Sequence, residues 1–468
     1  MRKWKLLMVC FIYFPHSTFR IPKTRNQQHA THAIMLNQIP ALLRVTIVFG
    51  LVLISIRKKL SLGNSFLLGA LAMGALFGQG PIAIANSIFR SLLDPKTASL
   101  AIIVELILIL SNSMEKAGQM QRLLSSFRGL VSSPRLNLTI FPALIGLLPM
   151  PGGAVFSAPM VKELGAQSKL TGGQLSFVNY WFRHIWEYWW PLYPGVLLTV
   201  VLADISLSVY VFFLAPLTGA AVLLGQGPIK IVAKSTPPGH QTRRPPILPF
   251  LKELTPVLVV IIPGLSIGLL ISRLFPAFPT GKETGLIVCL GAAIFWIWRQ
   301  NNFSGEQIRN VLLDKHLLNL FYMVAAIFIF KGILSDSQAV NAISNELISL
   351  KIPLLIIIAL LPFLVGMIAG ITIAFVGSTF PILIPMIHSM GETQHMLAYI
   401  MLAMVCGFAG VLLSPLHLCL VLSNTYFQTK LSVVYRYLWF PCIGLVVSAF
   451  GYFGLLHWGR SISEAFFP

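Results

Sequence analysis

Two carboxylates stand inside long apolar runs, and both are candidates for chemistry: Glu105 in IIVELIL, and Glu187 in NYWFRHIWEYWWPLYPGV, which runs from Asn179 to Val196. An ionisable group at membrane depth costs several kcal/mol unless it is paired or wet. Glu187 has polar company. On a helix, Asn179, Tyr180, Arg183, His184, Glu187 and Tyr188 recur at spacings of three and four and share one face, with Trp181, Phe182, Ile185 and Trp189 on the other. An Arg183 and Glu187 pair would neutralise itself and leave His184 to take up a proton, since a histidine ordinarily titrates near about pH 6.5. An aromatic interfacial belt would account for the tryptophans and leave Arg-His-x-x-Glu unexplained. Glu105 stands nearly alone, which implies a protonated carboxyl, a cavity, or an interhelical hydrogen bond.

A second signal is broken backbone. Gly146 to Val161 reads GLLPMPGGAVFSAPMV, cut by Pro149, Pro151, Gly152, Gly153 and Pro159. Prolines and glycines do not sustain a straight spanning helix. A Pro-kinked structural helix is the plain alternative for one such interruption, but a second follows in residues 352–387. There Gly370, Thr372, Gly377, Ser378, Thr379 and Pro381 offer hydroxyls and backbone with few charges. Broken helices at membrane depth survive where they line a cavity, with half-helix N-termini suited to an anionic group and freed carbonyls to a cation. A substrate is therefore expected between the two segments. Pro149, Pro151, Gly152, Gly153, Ser157, Asn179, Thr372, Gly377, Ser378 and Thr379 would hold it, and Arg183 would present positive charge. His184 and Glu187 would respond to protons, with Glu105 the next candidate. Lys331, near a span end, is expected to snorkel.

The elements that must position these residues are membrane spans. Of the 468 residues, 56% are hydrophobic and 10% charged, against roughly 25% charged in a soluble domain. The formal charge of +20 comes from Lys and Arg scattered in short loops, with no basic domain, so membrane orientation explains it better than nucleic acid. Five cysteines lie mostly in apolar segments without CxxC spacing, and imply no disulfide framework, zinc site or other cofactor. No HExxH, GxSxG or paired aspartates occur within spans, which argues against an intramembrane enzyme. Spans are expected near 41–56, 64–80, 97–114, a broken 136–161, a long 173–203 and 209–225. After a Pro- and Arg-containing linker they continue at 250–275, 284–298, 317–334, a broken 352–387, 396–422 and 437–457.

The halves resemble each other. At an offset of 220, PALIG from Pro142 lies on PFLVG from Pro362, and AVFSAPM from Ala154 lies on AFVGSTF from Ala374; Pro191 matches Pro415 at 224. With both broken segments re-entrant, one orientation collects nineteen Lys and Arg on inner segments and seven on outer ones, as the positive-inside rule requires. Each half then crosses an odd number of times. The expected fold is an all-α polytopic membrane protein of two inverted repeats, each with about five spanning helices and a broken re-entrant hairpin. The expected divisions are an N-terminal extension at 1–34 whose translation start is open, with Met35 as the favoured start, a first repeat at 35–225, a cytoplasmic linker at 226–249 and a second repeat at 250–468.

At LLPMPGGAVFSAPMV and NYWFRHIWEYWWPLYPGV the chain resembles the prokaryotic integral membrane proteins grouped as domain of unknown function four hundred and one, from about Met35 to the C-terminus. That family looks like part of the ion transporter superfamily, with its gluconate and citrate symporters, divalent anion to sodium symporters, arsenite permeases and sodium to proton antiporters. The resemblance implies inverted repeats with re-entrant hairpins. Sodium-coupled dicarboxylate members carry Ser-Asn-Thr at both hairpin tips, where this chain has Phe156-Ser157-Ala158 and Gly377-Ser378-Thr379. The function expected is a secondary transporter of a small anion such as an organic acid, coupled to H+ or Na+, in the cell (inner) membrane. A cation to proton antiporter and a non-transport scaffold stay open. The expected partners are that anion, the coupling ion and the lipid bilayer, with a homodimer open as an assembly.

Overall fold

The computed structural model describes residues 39–466 except 151, 167, 231, 233–244, 276 and 279. The expected extension at 1–34, and most of the linker at 226–249, lie outside the described residues. All regular structure among the described residues is helical. The first half holds α1 (Ala41–Arg57), α2 (Leu62–Leu76), α3 (Pro81–Leu93), α4 (Pro95–Lys116), α5 (Gln119–Phe127) and α6 (Pro134–Ile145). It continues with α7 (Ala154–Ala166), α8 (Gly172–Arg183), α9 (Pro194–Ala203), α10 (Leu207–Leu214) and α11 (Leu217–Gly225). The second half holds α12 (Leu248–Leu274), α13 (Gly281–Gln300), α14 (Gly305–Leu312), α15 (Lys315–Asp336) and α16 (Ala339–Ser349). It ends with α17 (Leu354–Ala369), α18 (Thr372–Ser389), α19 (Met396–Leu412), α20 (Leu418–Tyr426) and α21 (Leu431–Phe466).

Seven of the described helices are long and apolar enough to cross a bilayer, or eight if α9 and α10, bent by 117°, count as one. By that measure the chain is a polytopic membrane protein. Local sequence sets the helix starts. Pro95 and Pro134 occupy first-turn positions, where a missing N–H costs nothing. The Asp94 carboxylate accepts from the N–H groups of Lys96 and Thr97, and Thr171 closes a capping box with Gln174.

The order of helices recurs along the chain. Helices α4, α5 and α6 start at 95, 119 and 134, and α15, α16 and α17 start 220 residues later. Helices α9 and α20 start at 194 and 418, and α10 and α21 at 207 and 431, an offset of 224. In three dimensions the elements fall into two groups. Helix α15 packs on α2, α3 and α4, and α13 packs on α12 and α4. The other group joins the segments around the breaks: α6 with α7 and α8, α17 with α18 and α19, α9 with α18, and α20 with α7 and α8.

Two long spans expected from the sequence are interrupted. The stretch 173–203 divides into α8 and α9, and 396–422 divides into α19 and α20. Pro191 lies in the first interruption and Pro415 in the second, where each withholds the N–H that would continue a helix, and Pro194 opens α9 at its first position. From Trp181 to Tyr193 the backbone runs in three-residue turns, Glu187 N–H to His184 O at 3.1 Å among them, the tighter geometry that aligns residues i and i+3.

Candidate functional site

The first break, Gly146–Gly153, and the end of α6 before it leave carbonyls that no helix satisfies, and the last residue of α8 with the segment after it supplies donors for them one by one. Arg183 donates through Nη1 to Ile145 O at 3.0 Å and through Nη2 to Met150 O at 2.8 Å. Trp186 Nε1 reaches Ala143 O at 2.8 Å, Trp190 Nε1 reaches Leu147 O at 2.9 Å, and the Tyr193 hydroxyl reaches Gly146 O at 2.7 Å. These aromatics have a use that an interfacial belt does not explain. They are the hydrogen-bonding frame of a broken helix, which a low-dielectric setting makes obligatory. Gly153 fits the frame because a Cβ there would stand 2.4 Å from Arg183 Nη2.

The expected Arg183 and Glu187 pair does not form. The break in the helix at His184 turns Glu187 away, and no carboxylate lies within ion-pair distance of Arg183 among the described residues. Glu187 instead accepts a hydrogen bond from the Thr372 hydroxyl and stands 3.8 Å from His184 Nε2. Arg183 is 2% exposed, and its Nε is buried without a partner.

The second break is at Gly370-Ile371 and not at Gly377–Pro381. Gly370 ends α17 with φ +68°, a conformation glycine adopts without penalty, and α18 then runs unbroken through Pro381 and Pro385. Gly377, Ser378 and Thr379 are therefore interior helical residues. Both hydroxyls bond back to their own helix, Ser378 to Ala374 O and Thr379 to Phe375 O, each at 2.8 Å. Ser157 likewise lies inside α7. Its hydroxyl donates to Asn179 Oδ1 at 2.6 Å, and Asn179 Nδ2 reaches Ala154 O and Ser423 Oγ, each at 2.9 Å. That saturated network pins α7, α8 and α20 together and leaves neither side chain free for a ligand.

Both breaks open on one cavity of about 360 Å³. Pro149, Met150, Gly152, Arg183, His184 and Glu187 line it from the first half, and Gly370, Thr372, His417 and Cys419 from the second. Leu62, Leu108, Leu320 and Met323 close it from the other helical group. The opening turns of α9, α18 and α20 also reach the wall, through Pro194, Thr372 and Leu418. Of the residues expected from sequence, Pro149, Gly152, Arg183, His184, Glu187 and Thr372 thus meet in one place. Gly153, Ser157, Asn179, Gly377, Ser378 and Thr379 are not part of the lining, and Pro151 lies outside the described residues. Glu105 is on α4, one turn from the cavity residue Leu108, and its Oε1 is buried without a partner. Lys331 is half-buried, with Nζ 5.7 Å from the centre of the Phe328 ring. Sequence reasoning missed His417, Cys419 and Tyr193. The signal for the first two was Pro415, which marks the break that they follow.

A family model described as Protein of unknown function (DUF401) matches residues 40–454, and the chain belongs to that family. No curated protein matches it.

Proposed function

We propose that this member of the family is a secondary active transporter of a small anion such as an organic acid, driven by H+ or Na+ across the cell membrane. The observation that carries the reading is Arg183: a buried guanidinium with no carboxylate partner, lining a cavity at which two broken helices meet. A buried charge with no carboxylate at ion-pair distance is costly, and a bound anion offsets that cost. The opening turns of α9, α18 and α20 at the cavity wall add the positive ends of three helix dipoles. The recurrence of helices at offsets of 220 and 224 supports a duplicated carrier with inverted halves and a cytoplasmic linker, as in the ion transporter superfamily. Glu105, with an oxygen buried and unpartnered at membrane depth, is the carboxyl we assign to proton coupling.

The test is uptake of small carboxylates into proteoliposomes under an imposed pH or sodium gradient, with thermal shift as the binding readout. One anion class should both stabilise the folded protein by mass action and be taken up. In Glu105→Gln, uptake should lose its response to the pH gradient while stabilisation by the anion persists. If no anion stabilises the protein or moves, and sodium or potassium drives proton flux instead, the protein is a cation to proton antiporter.

A further inference from the structure

Three side chains of the cavity are not needed to explain anion binding: His184, His417 and Cys419. They are 3%, 7% and 6% exposed, and one ligand atom from each lies within 4.8 Å of the other two. The two Nε2 atoms are 3.2 Å apart. Two nitrogens bound to one tetrahedral zinc have nearly that separation, roughly 3.3 Å for bonds of about 2.05 Å.

The surroundings point the same way. His184 Nδ1 lies 2.6 Å from the Tyr180 carbonyl, which only accepts, so Nδ1 carries the proton and Nε2 presents its lone pair. A backbone carbonyl holding the far nitrogen is how a metal-bound histidine is oriented. Cys419 sits in the first turn of α20, where the helix dipole favours a negative sulfur. Two imidazoles and a thiolate suit a borderline-soft transition ion and not the oxygen-seeking Mg2+ or Ca2+.

We propose that His184, His417 and Cys419 form a three-ligand site for a divalent transition ion of the zinc class, with its fourth position open to the cavity. On binding, the Cys419 thiol gives its proton to bulk water, a sulfur lone pair forms the metal bond, and no electron is transferred. Without the ion, the contact between the two Nε2 atoms is an N–H···N hydrogen bond. The site shares the cavity with the proposed anion but does not depend on transport.

The test uses the full-length protein, purified in detergent, stripped with a chelator and titrated with Co2+ and then Zn2+. One equivalent of Co2+ should bind with a thiolate-to-cobalt charge-transfer band, and Zn2+ should displace it. Cys419→Ser should abolish the band, and Cys406→Ser should keep it. His417→Ala should weaken binding by more than the roughly 10–100-fold expected for an outer-shell partner. In the unmutated protein, Zn2+ should shield Cys419 from a membrane-permeant alkylating reagent while labelling of Cys406 stays unchanged. Absence of the band in folded protein, its survival in Cys419→Ser, or equal labelling of Cys419 with and without Zn2+ would overturn the site. Metal binding without anion uptake retains the site and ends the carrier reading; anion uptake without Co2+ binding does the reverse.

Discussion

The two breaks that meet at the cavity are built differently. In the first, eight residues separate α6 from α7, and five carbonyls between Ala143 and Met150 are held by Arg183, Trp186, Trp190 and Tyr193. In the second, Gly370 and Ile371 alone separate α17 from α18, and the bond from Thr372 to Glu187 joins that turn to the first half. One break is a braced loop and the other a bare hinge. If the protein is the carrier proposed above, one part of its site must stay put while another yields, and the difference fits a fixed role for the first break and a moving one for Gly370. In sequence both look alike, as glycine and proline in an apolar run.

Breaking the brace should have the largest effect. Arg183→Ala takes the charged donor from two carbonyls, leaving Ile145 O and Met150 O only the backbone N–H groups of Leu148 and Gly153, at roughly 1–3 kcal/mol each, and opens a void at Gly153. Removing an uncompensated charge returns part of that loss. A large fall in melting temperature in detergent, together with loss of stabilisation by the anion, is the expected result. A variant as stable as the parent would mean that the brace is dispensable. Trp186→Phe and Trp190→Phe keep the ring and remove one N–H, so each should cost about 1–3 kcal/mol, and the anion should still stabilise both.

The hinge is sharpened by Gly370→Ala. Its φ of +68° disfavours any Cβ, by roughly 1–2 kcal/mol, and that Cβ would stand 2.8 Å from Ser414 Oγ. Thermal unfolding should show a modest loss, below that of Arg183→Ala. Transport should fall more than the stability loss accounts for, because the hinge is stiffened. Equal losses in Trp190→Phe and Gly370→Ala transport would erase the distinction between the breaks.

The sequence revealed as much of the site as could be expressed by local residue type. Apolar runs located most spans, the Pro149 to Gly153 cluster located the first break, and the shared offset of 220 anticipated the helix starts at 95 and 315. The remainder depended on information that residue type does not carry. A glycine at positive φ and a glycine inside a helix are the same letter, so the sequence put Gly370 and Gly377 into one broken segment without telling the break from the helix interior. Pro191 and Pro415 each lay inside an apolar run long enough for one span, and a proline in such a run reads as a kink. Arg183 and Glu187 pair on an ideal helix, and the helix ends at Arg183. His417 comes from 233 residues beyond His184, so only the packing of α8 against α20 unites them.

The smallest expected effect separates a hydroxyl at the hinge from one beyond it. Ser378 and Thr372 are both buried on α18, and the sequence made them equivalent ligands. Ser378 Oγ bonds to the carbonyl of its own helix four residues back, a bond that contributes little and slightly bends a helix. Ser378→Ala should therefore change stability by within about 0.5 kcal/mol, with anion binding and transport unchanged. Thr372→Val keeps the shape and removes the donor to Glu187 in the bond that joins the hinge turn to the first half. It should weaken stabilisation by the anion clearly more than Ser378→Ala, because Glu187, which lines the cavity, then loses the hydroxyl that shares its charge and repels a negative ligand more strongly. If Ser378→Ala is the variant that weakens binding, the substrate sits deeper along α18 than the cavity at Gly370, and the comparison between the breaks must be redrawn around the helix interior.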